Sequence, residues 1–128
     1  MNNSRTMTSA TPRVWIVDDD EAFRRILELA LRRHGATAHS FECAEHALEA
    51  FRTDKPDVLM TDIRMPGLSG LALLKKVRLI DPVLPVVVMT AHSDLGSAIE
   101  AFGSGAFEYL LKPFELDPTV RVVLRAAR

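Results

Sequence analysis

The chain has 128 residues, 48% of them hydrophobic, with 16 basic and 17 acidic residues and a formal net charge of −1. That length supports one domain around one core, and the balanced charge gives no global electrostatic basis for binding nucleic acid or a membrane surface. A single cysteine, Cys43, excludes an internal disulfide, and no apolar run reaches the roughly 20 residues of a membrane-crossing helix.

Taken in chain order, residues 1–12 (MNNSRTMTSATP) lack the apolar centre of a secretory leader and predict a disordered lead-in to one domain over 13–128. With the lone cysteine, this leads us to expect a cytoplasmic protein. RVWIV (13–17) is a short β-branched and aromatic run, hence a strand. In EAFRRILELALRRHG, Phe23, Ile26, Leu27, Ala30 and Leu31 recur at helical spacing, and Gly35 closes that helix. ATAHSF (36–41) alternates as an edge strand would. A helix follows with Ala44, Ala47, Leu48 and Phe51 on one side, and Cys43 reads as a half-buried residue near its start.

PDVLMTD (56–62) is strand-like, MPGLSG (65–70) is a loop of turn residues, and LALLKKVRLI (71–80) is an amphipathic helix. PVLPVVVMTA (82–91) is the most apolar strand candidate. SDLGSAIEAFGSG (93–105) predicts a weak helix, because Gly96 costs about 1 kcal/mol relative to alanine. AFEYLL (106–111) predicts a last strand, and Pro118 falls in the first turn of a last helix. Alternation of five strands with five helices favours an α/β fold, a doubly wound parallel sheet of order 2-1-3-4-5.

In such a sheet, ligands bind beyond the carboxyl ends of the strands. Strand 1 ends in Asp18, Asp19 and Asp20, strand 3 in Asp62, Ile63 and Arg64, strand 4 in Thr90 and Ala91, and strand 5 in Lys112 and Pro113. Adjacent carboxylates about 5 Å apart repel by about 3 kcal/mol at an effective dielectric near 20. Either these acids cap the next helix, or a positive group sits among them. Clustered carboxylates with one hydroxyl and one ammonium suit Mg²⁺, and Asp62, alone at the end of the central strand, is the natural nucleophile towards a phosphoryl group. Metal, Lys112 and Thr90 would then stabilise the phosphoryl oxygens. Asp20 is the helix-capping candidate. The four histidines (34, 39, 46 and 92) show no ligand spacing; His34 suits a helix end, and His92 could border the phosphoryl site.

The motifs VDDD, TDIRMPGLSG, MTAHSD and GAFEYLLKPF, each at its strand end, resemble the receiver domains of bacterial two-component response regulators, most like the nitrogen-regulation type. The resemblance implies a flavodoxin-like receiver fold and phosphorylation of Asp62 by a sensor histidine kinase. It implies Mg²⁺ held by Asp19 directly, by Asp18 largely through water, by Asp62, and by the backbone carbonyl of Arg64. Lys112 would pair with the phosphoryl group, and its peptide bond to Pro113 would be cis. Thr90 and Tyr109 would switch with phosphorylation.

The 93–128 face would then control an output domain, ATPase and/or DNA-binding, with transcription as the regulated process, or would form a homodimer. The domain itself would contact neither nucleic acid nor membrane. Two alternatives share this chemistry or fold. A Mg²⁺-dependent phosphohydrolase with an aspartyl nucleophile would want an acid two residues after Asp62, where Arg64 stands; a flavin module would press a phosphate against three carboxylates.

Overall fold

Five parallel strands form the centre of the molecule, in a computed structural model that describes residues 11–91, 95–112 and 115–127. They are β1 (Arg13–Val17), β2 (Thr37–Phe41), β3 (Val58–Asp62), β4 (Val86–Thr90) and β5 (Glu108–Leu111). Between and after them come α1 (Glu21–Arg33), α2 (Ala44–Ala50), α3 (Gly70–Ile80), α4 (Leu95–Gly103) and α5 (Leu116–Ala126). The sheet order is β2-β1-β3-β4-β5, all neighbours parallel, as the alternation of elements implied.

Successive side chains of a strand point to opposite faces, and here both faces are covered. Val14, Ile16, Val58, Met60, Val87 and Met89 pack with Leu27 and Leu31 of α1 and Val120 and Val123 of α5. Trp15, Val17, Leu59, Val86 and Val88 pack on the other side with Ala44 and Ala47 of α2, Leu73, Leu74 and Val77 of α3, and Ala101 of α4. Two covered faces explain why these strands read as near-continuous apolar runs.

The apolar runs overstate the strands at their starts. Residues 82–85 precede β4 because Pro82 and Pro85 have no N–H to give a ladder, and Leu84 N–H instead closes a turn on Asp81 O at 3.3 Å. After α1, the N–H groups of Gly35 and Ala36 return to Arg32 O and Leu31 O, each at 3.0 Å, so the helix closes where Gly35 was expected to end it. His34 Nδ1 lies 3.0 Å from Ala30 O, at the helix end as anticipated. Residues 1–10, His92, the Lys112–Pro113 bond (through Pro113) and Arg128 lie outside the described residues, and with them the lead-in, the His92 and the cis-peptide expectations.

Candidate phosphoryl-transfer site

β1 delivers Asp18 into the interior at the point where its ladder ends. The Asp18 N–H still donates to Phe41 O of β2 at 3.1 Å, and its side chain is fully buried. A buried carboxylate needs partners. Lys112 Nζ donates to Oδ2 at 2.7 Å, and the Asp20 N–H donates to Oδ1 at 2.9 Å. Arg24 Nη1 donates to the Asp18 carbonyl at 2.7 Å. Asp19, one residue on, is exposed. Asp20 turns back to accept the Phe23 N–H at 3.1 Å, so it caps α1 as expected.

Asp62 closes β3, the central strand, and is only 9% exposed. Its backbone is clamped from behind. Gly70 N–H donates to Ile63 O at 2.8 Å, and a Cβ at Gly70 would lie 1.9 Å from the Asp62 carbonyl oxygen. Only glycine allows α3 to start so close to this strand end. Asp18, Asp19 and Asp62 each present a carboxylate oxygen within 4.8 Å of the others, three hard donors that can hold a divalent cation. Lys112 Nζ lies 3.6 Å from Asp62 Oδ1 and is shared between the two buried acids.

Burial above all, then the negative charge of Asp18, raises the pKa of Asp62 above the ordinary aspartate value, against the pull of Lys112. Three carboxylates meet one ammonium here, so with all three ionised the cluster would carry more negative charge than Lys112 balances. A cation among these oxygens would answer the repulsion that the run of three acids raised.

Thr90 ends β4 and is buried; the pairing of Asp62 with Met89 sets it one residue beyond the Asp62 level. Its carbonyl accepts the Lys112 N–H at 2.7 Å, which ties the lysine to the end of β4. Arg64 lies exposed, two residues past Asp62. Tyr109 is apart from the acids. It is half-buried on β5, opposite Val88, with its ring 6.3 Å from that of Phe102 in α4. The structure thus brings Asp18, Asp19, Asp62 and Lys112 together, sets Thr90 beside them, and puts Tyr109 on the way to α4.

Two contributors escaped the reading of the sequence. The Phe23 ring lies 4.1 Å beneath Lys112 Nζ, a cation–π contact that holds the ammonium over the acids, and Arg24 braces the Asp18 carbonyl. Phe23 was legible only as part of a helical apolar stripe. A cavity of about 400 Å³ beside Arg13, Trp15 and His39 is lined by none of Asp18, Asp19 and Asp62.

Comparison with known proteins agrees with this geometry. The family model for the response regulator receiver domain matches residues 14–123. The DNA-binding transcriptional regulator NtrC of Escherichia coli K12 is 53% identical over 113 residues, 88% of this chain and 24% of the relative. The C4-dicarboxylate transport transcriptional regulatory protein DctD of Rhizobium meliloti is 39% identical over 118 residues, 92% of this chain and 26% of the relative. The chain thus spans about a quarter of the length of these curated relatives.

Among solved structures, the apo receiver domain of nitrogen regulatory protein C superposes with a TM-score of 0.82 at 51% identity, covering 91% of this chain and 94% of that one. The BeF3-activated form of that domain gives 0.79 at the same identity and coverage. The chain belongs to the response regulator receiver domain family, the phosphorylation-activated switches of two-component signalling, and is of the nitrogen-regulation type.

Proposed function

We propose that residues 13–128 work as a Mg²⁺-dependent switch whose phosphoacceptor is Asp62, with 1–12 as a lead-in. The observation that carries this reading is the position of Asp62: end of the central strand, two further carboxylates within 4.8 Å, and Lys112 Nζ at 3.6 Å. Asp18, Asp19, Asp62 and the Arg64 carbonyl would hold Mg²⁺; the exposure of Asp19 suits direct ligation, while Asp18 is already engaged by Lys112. When bound, the cation neutralises the acids and the charge on the phosphoryl oxygens.

An ionised Asp62 oxygen attacks the phosphorus of a phosphohistidine on a sensor kinase. The P–N bond breaks, its electron pair returns to the imidazole nitrogen, and an aspartyl phosphate forms. Lys112 moves its attention from Asp18 and Asp62 to a phosphoryl oxygen, and the Thr90 hydroxyl donates to another. With that donation Tyr109 changes rotamer and biases the 93–128 face, which would contact a C-terminal output domain or a second copy. That the curated relatives are named as transcriptional regulators supports an output in transcription, in the cytoplasm. The domain is a regulatory phosphoacceptor, not a turnover enzyme; Arg64, where a phosphohydrolase wants a proton-transferring acid, supports that choice.

The test is labelling with a small acyl phosphate and MgCl₂. Wild type takes up a hydroxylamine-labile phosphoryl group, and Asp62→Ala takes up none. Undiminished labelling of the variant would sink the assignment.

A further inference from the structure

Two hydrogen bonds from backbone N–H groups hold the loop that leaves Asp62, in addition to the burial of Ile63 and Met65 in the core. At its base, Gly70 N–H meets Ile63 O at 2.8 Å. At its tip, Leu68 N–H donates to Oε2 of Glu45 at 3.1 Å, although Glu45 is 23 positions earlier and stands in the first turn of α2. Gly67 lies directly against the same oxygen: a Cβ there would come within 2.7 Å of Oε2, and its φ of +80° is one that other residues seldom adopt. The Leu68 N–H thus seats the carboxylate, and the backbone N–H groups of Glu45 itself and of Leu68 hold its pKa below the ordinary glutamate value. A backbone N–H bonded to a charged acceptor makes one of the stronger protein hydrogen bonds.

Between the base and the tip lie residues 64–67, including Arg64, whose carbonyl is the proposed backbone donor to the cation. Ile63 and Met65, on either side of Arg64, are buried in the core, so what the base and Met65 leave free is the tip, whose swing would pull on Arg64 through Met65. Glu45 removes that freedom from outside the site.

We infer that Glu45 is a positioning residue: by holding the tip of the 63–69 loop it sets how tightly the acidic site takes up Mg²⁺, without touching the cation or the phosphoryl group. The inference rests on the reading of Asp62 and its neighbours as a Mg²⁺ site. It makes Glu45 a determinant of metal affinity rather than of the phosphoryl-transfer step, because the groups that meet the phosphoryl oxygens lie on β4 and after β5, away from this loop.

The test compares wild type, Glu45→Ala, Glu45→Gln and Gly67→Ala. In metal-free protein, amide exchange at Leu68 should accelerate at least fivefold in Glu45→Ala, and less in Glu45→Gln, which keeps an acceptor oxygen. In labelling with an acyl phosphate, the MgCl₂ concentration for half-maximal rate should rise about fivefold in Glu45→Ala, with the saturating rate within twofold of wild type. Glu45→Gln should show little of that shift, and Gly67→Ala, which pushes the carboxylate away from the other side, should reproduce it. Unchanged Leu68 exchange, a MgCl₂ midpoint that stays put, or a fall in the saturating rate alone would each overturn the role. Absence of labelling in wild type would instead overturn the Asp62 reading, and the metal-free exchange at Leu68 would still decide whether Glu45 holds the loop.

Discussion

β3 and β4 differ sharply from the β5–α4 edge, though both carry residues proposed for the switch. Every residue of β3 and β4 is buried, and their ends present Asp62 and Thr90. β5 is half-buried over its first three residues and exposed at Leu111. In α4, Ala101 is the buried residue among those described, while Ile99 and Phe102 are 64% and 50% exposed. The central strands hold charged groups in fixed relation to one another, which phosphoryl transfer requires. The edge has little apolar burial to hold it in place, which suits an element that must change arrangement when the site does. One sheet thus sets a fully buried centre beside a less buried flank, with Tyr109 on the last strand and Lys112 just after it lying between them.

The largest effect should come from removing the proposed phosphoacceptor. Asp62→Ala should abolish hydroxylamine-labile labelling, whereas Ile99→Ala should leave the labelling rate within twofold; equal losses would erase the distinction between centre and flank. Stability should divide the same way. Leu59→Ala in β3, fully buried, should cost about 2–5 kcal/mol in urea unfolding. Ile99→Ala should stay within about 0.5 kcal/mol, as exposed substitutions do.

Ligand linkage sharpens the contrast further. MgCl₂ at 100 times its dissociation constant should raise wild-type stability by about 2.7 kcal/mol, seen as a shift in the urea midpoint. Asp19→Asn should lose most of that shift, and Ile99→Ala should keep it.

A smaller effect concerns pH in metal-free buffer. The folded pKa of Asp62 is raised above the unfolded value near 3.9. Below the unfolded value both states are protonated and the site costs nothing. As pH rises through the folded pKa, the folded state must accept a buried charge beside Asp18, so stability falls relative to acid. Asp62→Asn should remove that loss, so its advantage over wild type should be absent near pH 3 and fully present at neutral pH. An advantage independent of pH would mean that the substitution acts through packing and not through charge.

Much of this was legible in the chain itself. Apolar runs of five residues bounded by turn signals located the strands, and helical spacing located α1 and α3. Boundaries slipped where proline withholds a donor, as before β4, because hydropathy is blind to the ladder. The acids, Thr90 and Lys112 were found because strand ends in this topology are where ligands bind, so position along the chain stood for position in space. The difference between Asp18 and Asp19 was not legible from burial pattern. With β1 covered on both faces, its apolar residues show no alternation that would say which of the next two acids turns inward.

What the sequence by itself determined is therefore local and periodic: which segments form strands and helices, their order, the capping of α1 by Asp20, and the chemical types gathered at the strand ends. These follow from backbone geometry and side-chain type within a few residues. Only the tertiary structure decided the pairings. Lys112 sits 2.7 Å from Asp18 and 3.6 Å from Asp62, over the ring of Phe23, and Glu45 reaches across to the loop after Asp62. The physical reason is distance along the chain. Lys112 and Asp18 are 94 positions apart, and no local preference can choose between two carboxylates that become neighbours only when the sheet has closed.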